Sequence, residues 1–316
     1  MKQPLVSCII PCYNRPRYVR DAIDSALAQT YPNVEVVVVD DGSTDRTAEV
    51  LELYEDKIKV VRQDNAGTAA ARNTGIDAST GEYLAWLDSD DAWTPRKIEA
   101  QVAAFERFPR AGLIYTLCNP MNEQGEPKSI DDFAIPDAVV REDIMHMLVV
   151  ESEVLTPSCL VRRSALDSVG HFDPSYSAED WELNLRIARK YPFVYIDAPL
   201  TRHRIHDATK TKDRWPHAQG LLKLRHKIES MKDELLAADP SPAMRQAYER
   251  HRAKYAEAYY RVGKLALDRG DVEFARQMLD KALQLNPRVF KFYTRFLRAG
   301  MVSLLNRNAE KPVAKT

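Results

Sequence analysis

The chain has 316 residues, 45% of them apolar and 29% charged, with a formal net charge of −1. That length gives a sizeable core in one large domain or two ordinary ones, and the composition excludes a disordered or fibrous chain. No apolar stretch reaches the roughly 20 residues that cross a bilayer, and "MKQPLVSCIIP" enters a predicted strand without a signal-peptide pattern, so a cytoplasmic location is expected. The near-neutral total conceals an asymmetry. Residues 1–213 hold 24 Lys and Arg against 35 Asp and Glu, a net of −11, whereas residues 214–316 hold 21 against 11, a net of +10. Two parts of opposite charge are expected to be two domains, 1–213 and 214–316. Cys8, Cys12, Cys118 and Cys159 lack paired CxxC spacing, so reduced, mostly buried thiols are expected.

In chain order, "LVSCIIP" (5–11) and "VEVVVVD" (34–40) are predominantly apolar and rich in β-branched residues. Strands covered by helices on both faces read this way, and they imply a buried parallel sheet. Val19, Ala22, Ile23, Ala26 and Leu27 recur between them at helical spacing, and a further helix leads to the strand "IKVVR" (58–62). The alternation continues with a helix over about 66–78, a strand over 82–88, a helix over about 95–108 and a strand over 112–117. The prediction is a doubly wound, mostly parallel α/β domain. A polar, Pro-containing stretch over 118–138 reads as a surface insertion. "PSCLVRR" reads as a strand, 179–190 as a helix, and "FVYID" and "LTRHRIH" as two more strands.

Ligands of open α/β sheets bind at the carboxyl ends of the strands. Those ends here carry Pro11, Cys12, Tyr13 and Asn14, then "DDGSTD" (40–45), then "NAGTAAARNTG" (65–75) opening a helix, then "DSDD" (88–91). Each piece taken alone has a structural reading as a turn or a helix cap. Together they supply an aromatic to stack on a base, a carboxylate to accept from a base N–H, an Arg and a metal-binding carboxylate, which suits a nucleoside diphosphate. Neither G-x-x-x-x-G-K nor G-x-G-x-x-G occurs, so the usual phosphate-cradling loops are missing. Asp88, Asp90 and Asp91 crowd one strand end and need a cation among them; a divalent metal held by Asp90 and bridging two phosphates meets that need.

"VSCIIPCYNRPRYVRDAIDSALAQTYPNVEVVVVDDGSTD", "NAGTAAARNTG", "LDSDD" and "SAEDWELNLRIA" together resemble the family 2 glycosyltransferases, over roughly residues 4–207. The resemblance implies the GT-A fold. It implies inverting transfer of a sugar from a nucleotide-sugar donor, most readily a UDP-sugar, with Mn²⁺ or Mg²⁺ as cofactor. By position Pro11, Tyr13 and Asp41, with neighbouring Asn14, match the nucleotide-binding residues, Arg72 the Arg near base and phosphates, and Asp88 and Asp90 the DxD pair, Asp90 being the metal ligand. In "AEDW" Asp180 matches the general base, with Glu179 beside it, and an acidic first helical turn is the structural alternative. Arg204 and His206 match a late R-x-H whose His can reach the metal or the diphosphate. His171 stands where the family usually has a second Gly, which bears on the acceptor side. The QxxRW signature and membrane helices of the polymerising members are absent from this sequence, which points to single-residue transfer to a glycan or lipid-linked acceptor in cell-surface polysaccharide assembly.

In the basic part, residues 256–289 fit one tetratricopeptide repeat, with Gly263, Gly270, Ala275, Leu279, Ala282 and Pro287 at that repeat's small, turn and packing positions. Helices over about 217–238 and 243–255 precede it. One repeat cannot bury its own apolar face, so it packs on the rest of the chain or on a protein partner. "RVFKFYTRFLRAGMVSLL" forms a basic amphipathic helix that either lies on an anionic membrane or docks on the repeat. Nucleic acid is not among the expected partners. Two other functions fit parts of the pattern: a sugar-1-phosphate nucleotidyltransferase, which normally needs a Gly-rich basic loop that "IIPCYNRPRY" lacks, and an inactive transferase-like interaction protein, against which Asp90 and Asp180 both speak.

Overall fold

The computed structural model describes residues 3–128, 134–206 and 214–286, in two compact units. In the first, β1 (Val6–Cys12), α1 (Val19–Leu27), β2 (Val34–Asp40), α2 (Thr47–Glu52), β3 (Lys59–Arg62), α3 (Thr68–Asp77) and β4 (Tyr83–Trp86) alternate in the predicted order. They are followed by β5 (Ala92–Trp93), α4 (Lys97–Arg107), β6 (Leu113–Met121), β7 (Val139–Val140) and α5 (Ile144–Val150). A 3₁₀ turn (Thr156–Ser158) then leads into β8 (Leu160–Arg162), α6 (Arg163–Val169), α7 (Glu179–Ala188) and β9 (Phe193–Arg204). The strands form one nine-stranded sheet in the order β3-β2-β1-β4-β8-β6-β9-β5, with β7 paired to β9. β3, β2, β1 and β4 run parallel; β8 is antiparallel to both its neighbours, and β6 and β9 run parallel.

All seven residues of β1 are buried, as its largely apolar run requires, and Ser7 within it donates to Glu35 at 2.6 Å. Val19, Ala22, Ile23 and Ala26, one face of α1, join the core with β1, β2 and α4 residues. "FVYID" and "LTRHRIH" are not two strands but the single twelve-residue β9, which carries Pro199 in its interior. Pro199 is tolerated because the β6–β9 ladder shifts register between Thr116 and Cys118, so no donor is demanded there. The polar stretch beyond Cys118 begins as the end of β6, and Met121 bridges to Pro127.

Among the described residues the core holds one buried amine. Lys97 on α4 donates to Gln101 Oε1 at 2.8 Å and to the Cys159 carbonyl at 3.4 Å, with its Nζ 4.2 Å from the Trp93 ring centre. Burial pushes its pKa down to about 7. The unfolded chain, with an ordinary lysine near 10.4, holds a proton across that window which the folded chain has released, so Lys97 makes stability rise with pH from about 7 upward. The urea midpoint is expected to climb between pH 7 and 8.5, and Lys97→Met to remove that part of the slope. Equal slopes in both proteins would show that Lys97 stays charged in the fold.

The second unit comprises Val149–Glu151, Tyr176–Ala178 and the helices beyond. These are α8 (Arg214–Ser230), α9 (Lys232–Ala238), α10 (Pro242–Asp268) and α11 (Val272–Leu285). α10 starts at Ser241, whose side chain accepts from Met244 N, with Pro242 at its first position. It runs 27 residues without the break expected near 255, because nothing between Pro242 and Gly263 interrupts a helix. α10 and α11 pack as a hairpin around Tyr255, Tyr259, Val262, Met278 and Ala282. The amphipathic segment from 288, the end of the repeat-like stretch and the junction at 213/214 lie outside the described residues. Among the described residues no helix is long and apolar enough to cross a membrane.

Candidate active site

The loops after β1 and β2 are tied together. Asn14, at φ 51°, accepts from Thr44 N on its side-chain oxygen at 2.9 Å, while its own N–H donates to Ser43 Oγ at 3.0 Å. Asn and Asp adopt that left-handed conformation most readily among residues with a Cβ. Gly42, at φ +75°, lies so close to the next loop that a Cβ would sit 2.8 Å from Asn65 N, so only glycine serves there. Asp41 holds that next loop: its Oδ1 accepts from Gln63 Nε2 at 2.7 Å and Ala66 N at 2.9 Å, and its Oδ2 from Gly67 N at 2.9 Å. Three of about four acceptor positions are thus taken, leaving one for a ligand N–H. Pro11 is buried within β1, and Tyr13 beyond it is 43% exposed, open for stacking.

At the end of β4 the three carboxylates have three different partners. Asp88 accepts from Arg72 Nη2 at 2.7 Å. Asp90 Oδ2 accepts from His206 Nε2 at 2.9 Å and lies 3.7 Å from Arg15 Nε. Asp91 corrects the expectation that all three share one cation. It is fully buried and accepts from Arg204 N at 2.8 Å and His203 Nδ1 at 3.1 Å. Burial pushes the Asp91 carboxyl above the usual carboxylate range, and the bond to Asp91 raises His203. Asp91 therefore anchors the turn to β9. Arg204 does the same from the other side, donating to the Asp90 carbonyl at 2.7 Å, the Glu123 carbonyl at 2.9 Å and Asp21 at 2.6 Å.

Arg72, on α3, is buried and also donates to Glu179 at 3.0 Å. Burial disfavours its charge, but the carboxylates of Asp88, Glu179 and Asp180 outweigh it and hold its pKa above the ordinary guanidinium value. One guanidinium thus bridges the strand-end carboxylates and the acidic first turn of α7. Its face also lies 5.3 Å from the centre of the Phe172 ring, and Phe172 is held by its own backbone N–H and carbonyl, which bond reciprocally to the Asn73 side chain. Asp180 is held differently from Glu179: its Oδ2 accepts from Thr156 Oγ1 at 2.8 Å and its Oδ1 from the Trp181 N–H at 2.8 Å. Glu179 is therefore engaged by a permanent cation, whereas Asp180 is oriented by neutral donors, the arrangement that suits a base. Thr156 and Arg15 were not foreseen. Thr156 stands 24 positions from Asp180 with no local signal, and Arg15 reads only as one of two arginines after a strand.

Among the described residues no group of three or more His, Cys, Asp and Glu side chains gathers in metal-binding geometry. The pair Asp90 and His206 still fits Mn²⁺ or Mg²⁺, because such ions are commonly held by one or two protein ligands with substrate phosphates and water completing the shell.

Residues 7–170 match the sequence profile of glycosyl transferase family 2. An uncharacterized glycosyltransferase of Rickettsia typhi is 35% identical over 217 residues, 66% of each chain. A putative teichuronic acid biosynthesis glycosyltransferase, TuaG, of Bacillus subtilis is 36% identical over 153 residues, 47% of this chain and 60% of that one. In fold, the chain is similar to S. aureus TarS 1-349 in complex with UDP-GlcNAc, with a TM-score of 0.61 at 22% identity over 89% of this chain and 81% of that one.

Proposed function

The chain belongs to glycosyl transferase family 2, and on that premise we propose that it transfers a single sugar, with inversion, from a UDP-sugar to a glycan or lipid-linked acceptor in cell-surface polysaccharide assembly. The observation that carries this reading is the Arg72 bridge, 2.7 Å to Asp88 and 3.0 Å to Glu179, which joins a donor-side carboxylate to the acidic pair that includes the base. Tyr13 stacks on the base, and Pro11, Asn14 and Asp41 shape its pocket. Asp90 and His206 would hold Mn²⁺ or Mg²⁺, which when bound neutralises the departing diphosphate. Asp180 takes the proton of the acceptor hydroxyl as it attacks the anomeric carbon from the face opposite the leaving group. Arg72 occupies Glu179, so Asp180 is the base of the two.

A thermal-shift panel of nucleotide sugars with and without Mn²⁺ tests the donor class. A ligand at about 100 times its Kd stabilises by about 2.7 kcal/mol, a rise of roughly 4 °C for a protein of this size. UDP-sugars with Mn²⁺ are expected to give the largest shift. A panel in which neither nucleotide sugars nor free UDP move the melting temperature would remove the reading.

A further inference from the structure

Asp91 gives one side chain at the site a fixed direction. It is fully buried, and its Oδ2 accepts from Nδ1 of His203 at 3.1 Å while its Oδ1 accepts from the Arg204 N–H at 2.8 Å. A carboxylate on one imidazole nitrogen sets the tautomer and turns the other nitrogen the opposite way. Nε2 of His203 has no hydrogen-bond partner among the described residues, and the side chain is 39% exposed. One edge of the ring is pinned by a buried acid and the other is open, and neither the metal nor the base proposed above makes use of it.

The place of His203 in β9 fixes what it faces. Side chains two apart on a strand share a face, and the β6–β9 ladder is regular from Thr201 to Arg204, so His203 lies on the face of Thr201. Arg204, on the opposite face, turns to Asp21 of α1. Thr201 donates to the Pro157 carbonyl at 3.1 Å, and Thr156, the residue before, donates to Asp180 at 2.8 Å. On its other side His203 is tied to Asp91, the neighbour of Asp90, to which His206 bonds at 2.9 Å. The bond to Asp91 raises the His203 pKa and the charges of Asp88 and Asp90 add to it, so the ring stands within electrostatic reach of both. Two residues of strand span about 7 Å. His203 is thus about that far along β9 from the residue that leads to Asp180, and beside the carboxylates that receive the diphosphate.

We infer that His203 is a contact for the donor sugar, its Nε2 bonding to a hydroxyl of the sugar that is transferred. The inference rests on the UDP-sugar reading proposed above. In an inverting transfer the sugar lies between the departing diphosphate and the attacking hydroxyl, so a side chain between Asp90 and Asp180 is level with it. A hydroxyl both donates and accepts, and it pairs with Nε2 whether or not that nitrogen carries a proton. Asp91 is then a positioning residue for this contact. The nucleobase lies elsewhere: in the sheet β4, β8 and β6 separate β9 from β1, whose end carries Tyr13.

The test is calorimetry with UDP and with the UDP-sugar that most stabilises the parent protein, both in Mn²⁺, on two variants that divide the imidazole between them. His203→Asn puts an amide near Nδ1, where it can donate to Asp91, and leaves nothing at Nε2. His203→Gln puts its amide near Nε2 and gives up the bond to Asp91. His203→Asn is expected to weaken UDP-sugar binding by about 3- to 10-fold, the worth of one hydrogen bond, with UDP affinity within about twofold and a melting temperature close to the parent's. His203→Gln is expected to melt lower yet keep more of the sugar affinity. A purely structural role predicts the reverse order, because the Asn variant keeps the anchor to Asp91. That order, or parental UDP-sugar affinity in His203→Asn, overturns the inference. An equal loss for UDP and UDP-sugar also overturns it, since His203 would then serve the metal or the diphosphate. If His203→Asn does not fold, the parent labelled at its histidine ring nitrogens gives the answer: the ring resonance missing from His203→Gln is expected to shift with the UDP-sugar and not with UDP, and equal shifts overturn the inference. A parent that binds neither ligand removes the UDP-sugar reading and this contact with it; a parent that binds both, with His203→Asn unchanged, removes the contact alone.

Discussion

Asp180→Asn is expected to lower turnover by about 10²-fold or more while donor affinity stays within about threefold of the parent. A positioned general base contributes roughly 10²–10⁴-fold to a step in which a hydroxyl must lose its proton during attack. The amide keeps the shape of the carboxylate: its oxygen can accept from the Trp181 N–H and its NH₂ can donate to the Thr156 hydroxyl, so the site stays assembled and the loss falls on turnover alone. Glu179→Gln is expected to cost less, because its oxygen can still accept from Arg72. The measurement is initial rate at saturating donor together with donor affinity for both variants. Near-parental turnover in Asp180→Asn with an inactive Glu179→Gln would move the base to Glu179; activity in both would reduce this turn to an acidic helix start.

Asp90→Ala is expected to abolish the gain in UDP affinity that Mn²⁺ brings. Losing even a partner of a metal ligand typically costs 10–100-fold in metal affinity, and here one of the two proposed protein donors is removed. His206, 2.9 Å from Asp90, is left without the carboxylate that orients it. Arg15 loses its 3.7 Å contact as well, so a residual, metal-independent attraction for the diphosphate is expected to persist in the variant. Calorimetry with UDP in Mn²⁺ and in a chelator separates the two contributions. An affinity that Mn²⁺ still raises by the parental factor would mean that the metal is held elsewhere.

Much of the first unit was legible in the sequence because its signals are local. Largely apolar runs gave β1 and β2, helical spacing gave α1, and the polar residues just beyond strand ends gave Tyr13, Asp41, Asp88 and Asp90 at the carboxyl ends of the parallel strands β1, β2 and β4. What stayed hidden depends on pairing between distant segments. β5 and β7 have two residues each and exist only through β9. The break between "FVYID" and "LTRHRIH" looks like a loop because Pro199 lies there, and the register shift that accommodates it belongs to β6.

The sequence by itself determined that a doubly wound α/β domain comes first, that a basic helical region follows, and which acidic residues stand at the strand ends, because apolar period, net charge and residue type are properties of short stretches of chain. Only the tertiary structure decided how those acids divide their work. Asp88 and Glu179 are joined by one buried guanidinium, 16 and 107 positions away. Asp91, next to Asp90 in the chain, faces a buried backbone N–H and His203 instead of a shared cation. The physical reason is that a carboxylate's role is set by its burial and by the charges and donors that surround it, and here those come from α3, from β9 and from His206 just beyond it, up to 116 residues away, which only folding brings within hydrogen-bonding range.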